Sequence, residues 1–160
     1  MNTSPENLSA STASGQQPLK PSAEAWTLGL GGLLPFVLGS AGVWVLSFDW
    51  SALAATALLT YAAVIVSFLG GIHWGLAMRQ SRPPRGWLIW GVLPSLLAWA
   101  GLLLNSAWGL LLMAASLILC YVVDCQIYRP LQLGSWLILR GILTFVAVVS
   151  CLAGAAAFWG

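Results

Sequence analysis

The sequence predicts an all-α integral membrane protein, a bundle of five transmembrane helices. Hydrophobic residues make up 59% of the chain and charged residues only 6%, far below the share of about 25% charged residues that is usual in soluble domains. Five apolar stretches are also long enough to cross a bilayer core of about 30 Å, which takes about 20 helical residues. Helices are favoured because lipid offers no partners to an exposed backbone, and the alternating polar residues of a membrane barrel are absent from the sequence.

The chain divides into an N-terminal tail and a membrane domain. Residues 1–25 are rich in Ser, Thr, Ala, Pro and Gln and contain few large apolar side chains. Such a segment buries too little surface to offset the entropy of ordering it. We therefore predict a disordered cytoplasmic tail over residues 1–25 and a membrane domain over residues 26–160. The predicted spans cover residues 27–48, 51–78, 87–104, 107–127 and 139–159.

All basic residues fall on one side of the predicted bundle. Five spans place the tail, the second loop and the fourth loop on the same side of the membrane. The basic residues on that side are Lys20, Arg79, Arg82, Arg85, Arg129 and Arg140. By the positive-inside rule, this asymmetry predicts a multi-pass protein of the bacterial cytoplasmic (inner) membrane, with the N-terminus cytoplasmic and the C-terminus outside.

Among the ionisable residues inside predicted spans, His73 and Asp124 stand out; such residues are costly in hydrocarbon and are therefore candidates for function. His73 precedes Arg79 by six residues, or about 9 Å of helix, and Asp124 precedes Arg129 by five, or about 7.5 Å. The two side chains should thus lie at one depth near the basic side. Arg140, at the predicted start of the fifth span, lies close to the same level.

We predict a partly buried polar cluster of His73, Asp124 and Arg140, joined by Tyr121 and Arg79. A buried carboxylate stays charged only if it is paired, and histidine is the side chain most suited to proton exchange near neutral pH. One interpretation is a binding or proton-relay site. The other is a purely structural set of ion pairs that fixes the second span to the fourth and fifth.

A ridge of small residues runs along the second span. Ser67, Gly71 and Gly75 follow one another at a spacing of four in the segment SFLGGIHWG. Such a ridge lets a neighbouring backbone approach closely. It predicts helix packing, either within the chain or against a second copy or another subunit.

The first and third spans share a proline-centred pattern. Residues 32–42 around Pro35 align with residues 91–101 around Pro94, and Gly, Leu, Pro, Leu, Ala and Gly recur in register. The fold could therefore be a duplicated helical hairpin plus one helix. The alternative is chance similarity between apolar segments. Each proline is expected to kink its helix.

The segment YAAVIVSFLGGIHWGLAM, residues 61–78, resembles the signature of domain-of-unknown-function family 3429, the transmembrane protein 69-like family. Other segments follow in the order of that family: LLPF at Pro35, LPSLLAW at 93–99, the Tyr121 and Asp124 pair, and LILRGILTFVAVVS at 137–150. The resemblance covers about residues 27–155. It implies a five-span membrane protein of bacteria and mitochondria, and it implies no reaction.

The sequence offers no catalytic constellation, metal-ligand cluster or glycine-rich phosphate loop, so we predict no enzyme, metal or cofactor. The net charge of +2 gives no reason to expect nucleic acid. The expected partners are the lipid bilayer and other membrane subunits or a homodimer.

The first functional hypothesis is a non-enzymatic accessory or assembly subunit of a membrane complex. The alternative is a small proton-linked transporter or channel that uses His73 and Asp124; a lipid-modifying or haem-handling enzyme is a third, less supported class.

Overall fold

The chain folds into a bundle of helices, as the sequence predicts. The computed structural model describes residues 20–82, 84–128 and 133–159, and all regular structure within these ranges is α-helical. The helices are α1 (Ala23–Gly31), α2 (Leu34–Val45), α3 (Phe48–Met78), α4 (Arg85–Leu102), α5 (Ser106–Tyr128) and α6 (Gly134–Ala156). Because α1 and α2 are two parts of the first predicted span, the prediction of a five-helix membrane bundle is confirmed.

Within the described ranges, four of the five predicted spans are long and apolar enough to cross a bilayer, namely α1 with α2, α3, α5 and α6. The remaining predicted span, the third along the chain, is α4, which has 18 residues and begins with the charged Arg85. It packs against α3 and α5. Helix α6 begins at Gly134, five residues before the predicted start at residue 139, so Arg140 lies in the second turn of the helix rather than at its entrance.

The predicted tail overlaps the first helix by three residues. Helix α1 begins at Ala23 because Ser22 caps it: the Ser22 hydroxyl oxygen accepts a hydrogen bond from the Ala25 amide at 3.3 Å. A serine in this position satisfies an amide that has no partner within the helix. Residues 1–19, which make up most of the predicted tail, lie outside the described residues.

The first span is broken at Gly32 and Leu33. The Gly32 amide donates back to the Leu28 carbonyl and ends α1, and α2 then starts with Pro35 as its second residue. Proline is well tolerated there because the first amides of a helix have no intrahelical acceptor. Pro94, by contrast, lies inside the continuous helix α4. The two aligned prolines therefore have different backbone settings, and the duplication stays a hypothesis from the sequence.

Helix α3 lies at the centre of the bundle and packs against α2, α4, α5 and α6. It approaches α4 most closely where two glycines meet: a Cβ built on Gly70 would lie only 2.6 Å from the Gly91 carbonyl oxygen. Pro94 lies against the same face of Gly70. Only a residue without a side chain allows the two backbones to come this near. Side chains with almost no exposed surface fill the core of the bundle, among them Phe36, Leu58, Val66, Leu110, Met113 and Leu117.

Candidate functional site

Three ionisable side chains from three helices meet inside the bundle. Arg140 of α6 donates to Asp124 Oδ2 of α5 from Nε at 2.8 Å and from Nη2 at 2.5 Å. His73 of α3 places Nε2 at 3.4 Å from the other carboxylate oxygen, Oδ1. The side chains of His73, Asp124 and Arg140 are 0%, 2% and 12% exposed. The structure thus brings together the three central members of the predicted cluster.

The hydrogen bonds of His73 restrict where its protons can be. Nδ1 lies 3.1 Å from the carbonyl oxygen of Leu69. Because a carbonyl oxygen only accepts, Nδ1 carries a hydrogen. Nε2 is buried and has no hydrogen-bond partner among the described residues, although it faces Asp124 Oδ1. A single additional proton, on Nε2 or on Oδ1, would turn this contact into a hydrogen bond.

The cluster is electrically balanced without that proton. The Asp124 carboxylate is offset by the Arg140 guanidinium, whose N–H groups also satisfy its Oδ2 atom. An unpaired charge at this depth would cost several kcal/mol, or roughly as much as a buried ion loses in desolvation. With a proton added at His73 or Asp124, the group of three carries one net positive charge. It is therefore a place where the charge of the bundle interior can change by a single proton.

Trp90 of α4 closes the cluster on its fourth side. Its ring meets the His73 imidazole edge to face, with the ring centroids 6.4 Å apart and the planes at 83°. The indole Nε1 is buried and has no hydrogen-bond partner in the described part of the chain. Sequence reasoning missed this contact, because nothing in the sequence separates Trp90 from the tryptophans that anchor the protein at the membrane surface.

The two outer members of the predicted cluster have different positions. Tyr121 is half-buried one turn before Asp124, and its hydroxyl oxygen would lie 3.0 Å from a Cβ built on Gly141 of α6. Tyr121 therefore packs α5 against α6 beside Arg140. Arg79 is exposed just after the end of α3, and among the described residues no hydrogen bond or ion pair joins it to the cluster.

The predicted ridge on α3 faces away from the bundle. Gly71 and Gly75 are exposed, and within residues 20–82, 84–128 and 133–159 no atom would lie within 4 Å of a Cβ built on either of them. Ser67 is half-buried. The close packing within the chain occurs instead at Gly70, one residue away and therefore about 100° around the helix axis. Intramolecular packing through Gly71 and Gly75 is therefore not what the structure has.

A cavity of about 700 Å³ lies beside the cluster, between α1, α2, α3, α5 and α6. It exists because α1 packs on α6 while α2 packs on both α3 and α6, which leaves a space between α1 and α3. Leu28 of α1 and Phe68 of α3 line the cavity and are 77% and 63% exposed. The cavity therefore opens sideways, towards the surface that lipid covers.

Most of the cavity wall is apolar. The polar side chains in it are Arg140 and Thr144 in the first half of α6, together with Lys20 and Tyr128, whereas Asp124 and His73 do not line it. The Thr144 side chain is 7% exposed and its Oγ1 atom has no hydrogen-bond partner among the described residues. Buried hydroxyl groups are nearly always paired. An unpaired hydroxyl in the wall of a cavity is a position that a bound molecule could satisfy; sequence reasoning did not single out Thr144.

The sequence matches a known protein family and a curated relative. The family described as "Protein of unknown function (DUF3429)" matches residues 21–156. The chain is also 37% identical over 131 residues to "Transmembrane protein 69" of Xenopus tropicalis, an alignment that covers 77% of this chain and 50% of that protein. The chain thus spans about half the length of this curated relative. No solved structure matches the sequence.

Proposed function

The chain belongs to the DUF3429 family, and we propose its function from the geometry of the cluster. It is a small proton-linked transporter with His73, Asp124 and Arg140 as its proton-exchange site. The observation that carries the proposal is the contact of His73 Nε2 with Asp124 Oδ1, 3.4 Å apart and without a hydrogen bond. One proton can be added between these two atoms, at a site where the charges of Asp124 and Arg140 already cancel.

The cavity supports the proposal because it brings a cargo to the same site. Arg140 contributes to both: it pairs with Asp124 on one side and lines the cavity on the other. A cargo that brought charge close to Arg140 would change the charge balance between Arg140 and Asp124. It would therefore change how favourable it is to add a proton at His73. In an interior of low dielectric constant such charges interact strongly, which links the occupancy of the cavity to that of the proton site.

The distribution of basic residues supports an orientation. The described basic residues lie at the end of the bundle where α1, α4 and α6 begin and α3 and α5 end, here called the basic end: Lys20, Arg79, Arg82, Arg85 and Arg140. We propose that the basic end faces the cytoplasm in a bacterial inner membrane, following the positive-inside rule. The proton site then lies about two helical turns inside the cytoplasmic surface.

Proton flux in liposomes tests the transport proposal. The purified chain is reconstituted with a pH-sensitive dye inside, a pH gradient is imposed, and the potential is clamped with potassium and valinomycin. We expect the wild-type protein to pass protons and His73→Asn to lose about nine-tenths or more of that flux. Asparagine keeps a donor near Nδ1 but removes Nε2, and loss of a positioned proton carrier typically costs about 10²–10⁴-fold in rate.

Asp49→Asn is the matched control, since Asp49 is the exposed acidic residue in the first turn of α3 at the opposite end of the bundle. It should leave the flux unchanged. Equal flux through the wild-type and His73→Asn proteins, at equal reconstitution, would contradict the proposal and leave the cluster with a structural role.

A second candidate function, an accessory subunit of a membrane complex, is favoured by the open face at Gly71 and Gly75. In the described part of the chain, no atom lies within 4 Å of a Cβ built on either glycine, so this face admits a foreign helix at close range. Native mass spectrometry of the chain taken from its host membrane in mild detergent tests this role. A stoichiometric foreign subunit that is lost in Gly71→Leu, but kept in Ala115→Leu on an exposed site of α5, would favour it. A wild-type chain without any foreign subunit would argue against it.

A further inference from the structure

We infer that the cavity binds a single-chain amphiphile with an anionic head group, a carboxylate or a phosphate monoester. The head group lies at Arg140 and Thr144, and the chain lies along the apolar wall between α1 and α3. This inference rests on the proposed function in one respect only: it names the class of cargo whose binding is coupled to the proton site.

The shape of the cavity fits one extended apolar chain. Its lining on α6 runs from Trp136 to Ala147, a length of about 16 Å at 1.5 Å per residue. The volume of about 700 Å³ lies in the range of about 300–1,000 Å³ that holds drug-sized molecules. The lateral opening between Leu28 and Phe68 lets a molecule enter from the bilayer without crossing water. These features favour one chain over the two chains of a phospholipid.

The polar side chains in the cavity wall fit an anionic head group. Asp124 takes up Nε and Nη2 of Arg140, which leaves Nη1 outside that pair. Thr144 lies one turn further along the same face of α6, with a buried hydroxyl that has no partner among the described residues. Lys20 adds a second positive charge at the rim. Arginine and a hydroxyl group are common donors to carboxylate and phosphate oxygens.

The charges account for the link to a proton. A singly charged anion at Arg140, either a carboxylate or a phosphate monoester that keeps one proton, would give the buried group one net negative charge, because Asp124 already balances the guanidinium. A proton on His73 Nε2, or on Asp124 Oδ1, restores neutrality without disturbing the bonds between Arg140 and Asp124. Since an uncompensated buried charge is strongly unfavourable, the anion and the proton are expected to enter together.

Head-group selectivity is the first test. The full chain in nanodiscs of zwitterionic lipid is titrated with tetradecanoic acid, tetradecyl phosphate, tetradecanol and tetradecyltrimethylammonium, and binding is followed by native mass spectrometry and calorimetry. We expect saturable binding of one equivalent of the acid, the phosphate or both, at least about tenfold tighter than the alcohol, the effect of one hydrogen bond to a charged group. The two anions distinguish a fatty acid from an alkyl phosphate. Equal binding of all four probes, or binding of none, would overturn the inference.

Two substitutions separate the binding role from folding. Thr144→Val is nearly isosteric and removes a hydroxyl without a partner, so a ligand role predicts about tenfold weaker anion binding together with an unchanged or higher thermal stability. Ala25→Phe fills the cavity from α1, whereas Ala23→Phe changes an exposed residue of the same helix that does not line it. Only the first of this pair should abolish binding. Unchanged anion affinity in both Thr144→Val and Ala25→Phe would overturn the assignment of the site.

The single histidine of the chain gives a direct readout of the proton. Labelling with ¹⁵N-histidine marks His73 alone, and the ¹⁵N shifts report which ring nitrogens carry hydrogen. Addition of the anion is expected to shift Nε2 towards the protonated form, whereas the alcohol should leave it unchanged. Anion binding without any response at His73 or Asp124 would support the ligand class but contradict the proton coupling of the proposed function. Proton flux that depends on His73, without amphiphile binding, would support the proposed function and contradict the ligand class.

Discussion

At the scale of single residues, the buried ion pair between Asp124 and Arg140 stabilises the bundle and also forms part of the proposed proton site. Arg140 satisfies the carboxylate with two nitrogen atoms, so removal of either partner leaves a charge in an apolar interior. His73 adds a third group that is fixed by its own helix through the Leu69 carbonyl. The arrangement therefore holds three side chains in register while leaving the contact between His73 and Asp124 able to take up a proton.

A double-mutant cycle measures how much of this is stability. Asp124→Leu and Arg140→Met should each lower the free energy of unfolding by about 3–5 kcal/mol, because each leaves one buried charge unpaired. The double variant should recover most of that loss, since it buries no charge. Thermal unfolding can be followed by the reaction of a thiol-specific dye with Cys120 and Cys151, which are buried and free in the folded chain.

Asp49→Asn serves as the control for these two changes, because it removes an exposed charge outside the cluster. It should unfold like the wild-type protein. Single variants as stable as the wild-type protein would show that the pair is solvated rather than buried, and would remove the charge argument from the proposed function.

The depth of the cluster was accessible to sequence reasoning, but its neighbours were not. Counting residues at 1.5 Å each places His73 and Asp124 at one level, and the structure brings their side chains to 3.4 Å. The direction in which a residue points around the helix axis is harder to obtain. A membrane helix that is apolar on all sides has no hydrophobic stripe to mark its buried face. Trp90 and Thr144 therefore gave no signal.

At the scale of secondary-structure elements, α3 shows the same difficulty in its glycines. The spacing of Gly71 and Gly75 predicts a packing ridge, yet the backbone that α4 approaches is at Gly70. Adjacent residues of a helix point about 100° apart, so an error of one position exchanges a buried face for an exposed one. In the first span the sequence predicts only a kink from Pro35, whereas the structure interrupts the helix at Gly32 and Leu33, just before that proline.

Alanine at each of the two adjacent glycines should have opposite effects. Gly70→Ala places a Cβ 2.6 Å from the Gly91 carbonyl oxygen, and the overpacking should cost about 1–3 kcal/mol of unfolding free energy. The Cβ added by Gly71→Ala meets no atom of the described residues within 4 Å. This change should be neutral or stabilising by up to about 1 kcal/mol, since alanine favours the helix. The thiol-reaction assay on the purified protein measures both.

The same pair of variants also tests the accessory role in its natural setting. Were Gly71→Ala neutral in purified protein but depleted from the host membrane, the exposed face would be covered by a partner there. Equal loss of stability in both purified variants would instead show that the two faces of α3 have been assigned wrongly.

At the scale of the whole molecule, composition alone was sufficient for the fold class. A chain with 6% charged residues cannot cover a soluble surface, and four stretches in the described structure are long and apolar enough to span a bilayer. The cavity beside the cluster was beyond sequence reasoning, since it depends on the angle between α1 and α2. The placement of the basic residues at one end of the bundle can again be predicted from the sequence, because it follows from the number of spans.

Cysteine accessibility can decide which side of the membrane the basic end faces. Ser81 lies between α3 and α4 at that end and Ser47 lies between α2 and α3 at the other, and both are exposed. A membrane-impermeant maleimide applied to intact bacteria should label Ser47→Cys, and should label Ser81→Cys only after permeabilisation, because basic loops are retained in the cytoplasm. The unsubstituted chain is the control for reaction at Cys125, which is half-buried, and at the two buried cysteines. The reverse pattern would place the proton site near the outer surface, and the proposed coupling would then draw its protons from outside the cell.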